Sequence, residues 1–207
     1  KDEAAIAFAR ALKGRRDLLK REPKNSEYVS DLASTLAAQG QFLAMQKRFE
    51  ESLKDVSEAI RLFELARQDP REANPTATMR LLHTYRMRTQ ILNILNRRRD
   101  SLADWERIVA LSPREEQFSQ RMARADVLSR LGEYRKAEME WTELKQFPGL
   151  PANALYDLAC MHAICAGFAG KDATRPLPER EKRAEQLSQE AIGLLQLLID
   201  LPHLSVQ

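Results

Sequence analysis

Three side chains with metal-ligating or nucleophilic chemistry, Cys160, His162 and Cys165, stand within six residues of one another. Zinc takes four nitrogen or sulfur ligands at the corners of a tetrahedron. The other histidines, His83 and His203, are far away in the chain. On a helix, two residues five apart diverge by about 140°, so Cys160 and Cys165 do not converge. Cys160 is therefore read as a small packed residue and Cys165 as a second thiol on the helix face. Asp157, Cys160 and His162 supply the residue types of a carboxylate, nucleophile and base, but helical spacing aims them apart. No catalytic residue, metal or cofactor is expected.

The densest basic stretch is Arg97-Arg98-Arg99, with Arg86, Arg88 and Arg107 nearby. Such a cluster can hold phosphate or an acidic partner. Asp100, Asp104 and Glu106 lie alongside, which favours a solvated turn between helices. The chain as a whole has 33 basic and 30 acidic residues, a net charge of +3. That balance argues against nucleic acid as a partner.

The elements that position these residues are helical. Ala, Leu, Glu, Arg and Gln dominate, only 7 glycines occur in 207 residues, and no alternating strand pattern is visible. Apolar stripes separated by Pro, Gly and Asn predict about nine helices. Asn25 or Ser26 opens the second and Asn74-Pro75 the fourth, each offering a side-chain oxygen to free backbone N–H groups. Ser112-Pro113-Arg114-Glu115 reads as a capping box with proline in the first turn, opening the sixth. Gly132 turns into the seventh, which ends near Phe147-Pro148-Gly149; residues 167–178 form the longest loop, and Pro202 stops the last helix.

Two stretches repeat. Ser101, Trp105 and Ile108 recur as Ala137, Trp141 and Leu144, each 36 residues on. A fixed period of that length is the signature of a helical solenoid, in which no pair buries its apolar face alone. Apolar runs fall short of the roughly 20 residues that cross a bilayer, so no membrane span is expected. Two cysteines make no disulfide framework, which fits a reducing, cytoplasmic setting. The chain starts at Lys1 inside a helical pattern and is read as a piece of a longer protein.

These residues resemble the tetratricopeptide repeat. Tyr85, Leu92, Ser101, Trp105, Ile108 and Pro113 match one unit, and Ala125, Leu128, Gly132, Tyr134, Ala137 and Trp141 the next. Looser matches are Leu36, Gly40, Leu43, Ser52, Val56 and Ala59, and then Tyr156, Ala159, Cys160, Ala163, Ala184 and Ala191. A narrower resemblance, carried by Arg48-Phe49-Glu50-Glu51-Ser52-Leu53 and Tyr156-Asp157-Leu158-Ala159-Cys160-Met161-His162-Ala163, is to repeat regions following the kinase domain in planctomycete serine/threonine protein kinases. No Gly-rich phosphate loop, His-Arg-Asp or Asp-Phe-Gly is present, so this chain is not expected to be an enzyme.

The resemblance implies an all-α, right-handed superhelix of antiparallel helix pairs over residues 1–207. Residues 1–23 would form a half repeat, followed by pairs at 26–70, 75–113, 114–148 and 151–200. It implies a protein–protein interaction scaffold, in which the first helix of each pair lines a concave groove for a peptide or partner protein. The inward positions become His83, Arg86, Gln90 and Asn93 on one pair, then Ser119, Met122, Asp126 and Ser129 on the next. The Lys and Asn set that captures a C-terminal carboxylate is incomplete. Tyr85, Trp105, Tyr134 and Trp141 fall on packing positions. The alternative is a self-associating or spacer module, a homodimer through the unpaired first helix, whose apolar face is exposed.

Overall fold

The structure, a computed structural model, describes residues 2–71, 74–145, 147 and 150–200. Among the described residues there are nine α-helices and no strand: α1 (Asp2–Arg21), α2 (Ser26–Met45), α3 (Phe49–Ala66), α4 (Pro75–Ile94), α5 (Leu102–Leu111), α6 (Gln117–Arg130), α7 (Tyr134–Leu144), α8 (Ala152–Ala169) and α9 (Leu177–Ile199). The all-α helix-pair fold expected from the sequence is the one found. Pro148, Gly149, Pro202 and His203 lie outside the described residues.

The helices gather into two compact units, Lys1–Ser112 and Pro113–Gln207. In the first, α1 packs on α2, α2 on α3, α3 on α4 and α4 on α5, and α2 also meets α4. In the second, α6 packs on α7, α7 on α8 and α8 on α9, and α6 also meets α8. Each unit therefore stacks its helix pairs so that the first helices of successive pairs touch.

Helix starts follow local chemistry. The Asn25 side chain accepts from the backbone N–H of Glu27 and Tyr28 at 3.1 and 3.3 Å, and Asn74 accepts from Ala77 at 2.9 Å ahead of Pro75. The predicted capping box at Ser112 is not formed. Residues 114–116 make a turn, with the Glu116 N–H donating to the Pro113 carbonyl at 3.0 Å, and α6 begins at Gln117 with no side-chain cap. Proline restricts the residue before it to extended backbone, and Ser112 has ψ 141°.

Three helix ends share one device. Lys47, Asn96 and Gly132 stand two residues beyond the last residue of α2, α4 and α6, each in the left-handed region, with φ 62°, 57° and 75°. At each, the next residue's N–H reaches back five residues to a helix carbonyl: Arg48 to Leu43, Arg97 to Leu92 and Glu133 to Leu128. This satisfies carbonyls that the helix end would leave bare. Gly132 is needed twice over, because a Cβ there would also lie 2.9 Å from the Phe168 ring.

Counting from these turns exposes the repeat. Seven residues earlier stand Gly40, Thr89 and Ala125; five later stand Ser52, Ser101 and Ala137; all six are buried. These small residues let paired helices approach closely. A Cβ on Gly40 would meet Val56 Cγ2 at 2.6 Å, and the Ser52 hydroxyl donates to the Gly40 carbonyl at 2.6 Å. Twelve residues after the turns, Ala59, Ile108 and Leu144 are fully enclosed. Trp141 and Tyr85 are buried as predicted, Tyr134 likewise, while Trp105 is half-buried against the first unit's core.

An ion pair repeats as well. Arg88 on α4 holds Asp104 on α5, with Nε 2.8 Å from Oδ2. Thirty-six residues on, Arg124 on α6 holds Glu140 on α7.

Candidate functional site

In the second unit, α6 and α8 leave a groove of about 550 Å³ between them. Helical spacing brings Phe118, Met122 and Ala123 from α6 together with Ala154 and Met161 from α8, which makes the groove apolar. Ser119, Asp126 and Arg130 rim the α6 side; Asn153, Tyr156, Asp157 and Cys160 rim the α8 side. The Phe118 ring is steadied edge-on by Phe147, centroids 5.1 Å apart. Asp126 is engaged by its own helix, with Arg130 Nε 2.9 and 2.8 Å from its two oxygens. Tyr156 is 54% exposed. Its hydroxyl pKa is raised, first by a hydrogen bond with the Cys160 thiol and then by the charge of that group.

Of the predicted inward residues on α6, three line this groove: Ser119, Met122 and Asp126. Ser129 does not. It is fully buried, and its hydroxyl donates to the Ala125 carbonyl at 2.8 Å. It lies seven residues after Met122 but has turned toward the Cys165 thiol. The α8 side of the groove, with Tyr156, Asp157 and Cys160, is absent from the predicted set. The signal was available: Tyr156 and Cys160 are one helical turn apart, and a small or thiol residue beside an aromatic reads equally well as core.

The first unit has a corresponding groove of about 380 Å³, lined by Asp31, Ser34, Gln41, Arg80, His83 and Met87 among others. His83 is on its wall. Gln90 and Asn93 are exposed on α4 outside it, and Arg86 is half-buried. Arg15 on α1 closes one side, donating to the Asp31 carbonyl and to the Thr35 hydroxyl.

The basic stretch is largely engaged. Arg97 Nε stands 2.7 Å from Asp100, Arg98 donates to the Asn96 amide oxygen, and Arg99 also has a partner. Arg88 is held by Asp104, and Arg107 lies 2.6 Å from Glu64, which also accepts from the Tyr85 hydroxyl at 2.9 Å. The expectation of a turn offset by neighbouring acids fits these contacts.

The Cys160–His162–Cys165 stretch separates as helix geometry predicts. Cys165, rather than Cys160, is the packed thiol: it is fully buried, and burial pushes its pKa up to about 11. Cys160 is half-buried in the groove. His162 is fully enclosed and lies against Trp141 with ring centroids 4.1 Å apart. Its Nδ1 is 2.7 Å from the Leu158 carbonyl, so Nδ1 carries a hydrogen; its Nε2 is 3.1 Å from Glu190 Oε2. Burial holds the imidazole below its ordinary pKa. Glu190 is also lowered: burial opposes its charge, but Lys145 at 3.0 Å outweighs it. Among the described residues no group of three or more His, Cys, Asp or Glu could hold a metal ion, and no helix is long and apolar enough to cross a membrane.

No protein-family model and no curated protein matches this chain. Among solved structures, it is similar to YrrB, described as a TPR protein with an unusual peptide-binding site, at 16% identity over 98% of this chain and 87% of that one, with a TM-score of 0.46. It is also similar to BtubC (BKLC) from P. vanneervenii at 13% identity, over 94% of this chain and 87% of that one, with a TM-score of 0.49.

Proposed function

We propose that this chain is a protein-interaction scaffold and that the α6–α8 groove holds an extended segment of a partner protein. One observation carries the reading: an apolar floor, built by Phe118, Met122 and Met161, is rimmed by polar groups able to bond a backbone or orient a side chain. Binding sites combine those two features, the floor for affinity and the rim for register. The scaffold reading follows from the stacked pairs, which present the groove on packed helices rather than on loops.

The test is affinity capture from a lysate of the source cells, comparing the unaltered chain with Met122→Arg and with Arg86→Glu/Asn93→Ala. A partner lost with Met122→Arg and kept by the double variant supports the α6–α8 groove. Loss with the double variant alone moves the contact to α4. Retention by both overturns the groove reading.

Two finer readings accompany it. The Tyr156-x-Leu158-Ala159-Cys160 resemblance supports a recruiting or regulatory region of a serine/threonine protein kinase. The parent kinase should then phosphorylate a captured partner less well once it carries Met122→Arg. Thiols at Cys160 and Cys165 that are not bonded to each other fit a cytoplasmic setting. Self-association through α1 is the competing reading. Leu12 and Phe8 face α2, Phe8 stacking on Phe42, while Ile6 is 51% exposed. Light scattering on Ile6→Lys separates it: a dimer that becomes a monomer supports pairing through α1.

A further inference from the structure

We infer that the α6–α8 groove selects a segment carrying a lysine or arginine next to an apolar side chain. This rests on the groove reading above and names what the groove prefers. The charges on the rim decide it. Asp126 accepts the Arg130 Nε hydrogen on both carboxylate oxygens, so the two charges offset each other. Asp126 therefore keeps only part of its capacity. That leaves Asp157, an exposed carboxylate for which no ion pair is formed among the described residues. The rim is negative by one charge.

Chemistry beside Asp157 points the same way. The neighbouring Tyr156 ring is more than half exposed. A ring face attracts a cation through its quadrupole, and a carboxylate one residue away on the same helix adds the ionic half of the contact. A cationic head entering the groove meets the Tyr156 ring and Asp157, which both line it, while its aliphatic stem lies along the groove. An anionic side chain would meet Asp157 unpaired, and its attraction to Arg130 would be offset by the neighbouring Asp126. Phe118, Met122 and Met161 then take the apolar neighbour. Met adapts to side chains of different shape, so the floor sets apolarity rather than one residue type.

The first unit's groove argues by contrast. Arg15 and Arg80 outnumber Asp31 on its wall, and the same segment would meet a net positive rim there.

The test is a positional-scanning nonapeptide array probed with the whole chain, followed by fluorescence anisotropy on the best sequences. Lys or Arg beside Leu, Ile, Met or Phe should be enriched. Asp157→Asn should weaken those peptides about threefold to fivefold, the size expected of an exposed ion pair. Tyr156→Leu should weaken Arg and Lys peptides and leave neutral ones unchanged. Asp157→Lys should reverse the charge preference. Circular dichroism checks that each variant folds, and both positions are exposed. Enrichment of Asp or Glu, or of apolar residues alone, with binding abolished by Met122→Arg, overturns the cation preference and leaves the groove reading intact. Binding unchanged by Met122→Arg overturns the groove reading, and the preference with it.

Discussion

The pairs α4–α5 and α6–α7 are one design written twice, 36 residues apart, and they differ in how their buried charge is held. In α4–α5, Asp104 is sealed from water, its side chain 2% exposed, and among the described residues Arg88 alone clasps it. In α6–α7, Glu140 is 14% exposed and has two arginines, Arg124 in contact and Arg121 at 3.6 Å. A buried ion pair gains little over apolar packing, but removing one partner strands the other charge. What matters is therefore how many partners remain, more than how tight the contact is. The grooves differ in net charge: Arg15 and Arg80 outnumber Asp31 in the one on α2 and α4, while Asp126 and Asp157 outnumber Arg130 in the one on α6 and α8. The core positions repeat and the groove positions do not, which is the pattern expected when packing constrains the first and ligand chemistry the second.

The ion pairs give the largest expected effect. Arg88→Ala leaves Asp104 without a counter-charge and should cost about 3–5 kcal/mol of protection in α4 and α5. Arg124→Ala leaves Arg121 beside Glu140 and should cost about 1–2 kcal/mol in α6 and α7. Amide hydrogen exchange, read helix by helix, measures both. Equal losses would break the comparison and mean that the second arginine contributes nothing.

The left-handed turns come next. Gly132→Ala places a Cβ where φ is 75° and against the Phe168 ring, and should cost about 1–2 kcal/mol for the backbone alone. Lys47→Gly should do the reverse, stabilising α2–α3 by up to about 1 kcal/mol. Asn96→Gly should gain less, because asparagine tolerates this conformation better than lysine does. Urea denaturation followed by helix-resolved exchange ranks the three. A destabilised Lys47→Gly would show that the lysine side chain supports its turn in some other way.

Acid should act on the buried groups of α8 and α3 with opposite signs. His162 is held below its ordinary pKa by burial, and the groups facing it are Leu158 on its own helix, Trp141 and Lys145 at the end of α7, and Glu190 on α9. The unfolded chain binds this proton more readily than the folded one. Stability from the neutral imidazole is full above about pH 6.5 and is lost as pH falls through the folded value. Glu190, also lowered, loses its contribution in the same direction at lower pH. In the first unit, burial raises the Asp55 pKa, so that carboxyl stabilises when protonated. Its contribution is present at low pH and lost as pH rises through the folded value. Between pH 7.5 and 5.0, exchange corrected for intrinsic rate should show α8 losing protection and α3 holding or gaining it. A gain in α8 at pH 5.0 would mean that the Glu190 contact, not burial, governs His162.

Helix existence was legible because each helix has an apolar stripe and a Pro, Gly or Asn boundary; Asn25, Asn74 and Gly132 act as their residue types suggest. Ser112 misled because the capping-box pattern does not register that the turn at 114–116 delays the helix. Ser129 misled because counting along one helix does not reveal where the next helix packs. The α8 rim was missed for the same reason: Tyr156 looks like core until the partner helix is in place. The repeated ion pair was present in the sequence at the same 36-residue period, Arg88 to Arg124 and Asp104 to Glu140, but a search confined to apolar positions passes over charges.

That repeat predicts the smallest effect and the sharpest check on it. Measured from the left-handed turns, the α2–α3 counterparts of Arg88 and Asp104 are Gln39 and Asp55. Both line one pocket with Lys13, Arg16 and Lys54. The acid is kept there and the arginine is missing, and burial raises the Asp55 pKa. Gln39→Arg should supply the missing guanidinium, drawing the Asp55 pKa back down, as seen by carbon-13 NMR of its carboxyl. The stability gain at pH 7 should be small, from zero to about 1 kcal/mol, because the site is only partly enclosed and two side chains must be ordered. It should also remove the acid stabilisation of α3, since a paired carboxylate no longer gains from protonation. If the Asp55 pKa does not move, then positions 39 and 55 do not face each other as 88 and 104 do, and the ion pair is a feature of two repeats, not a rule of the array.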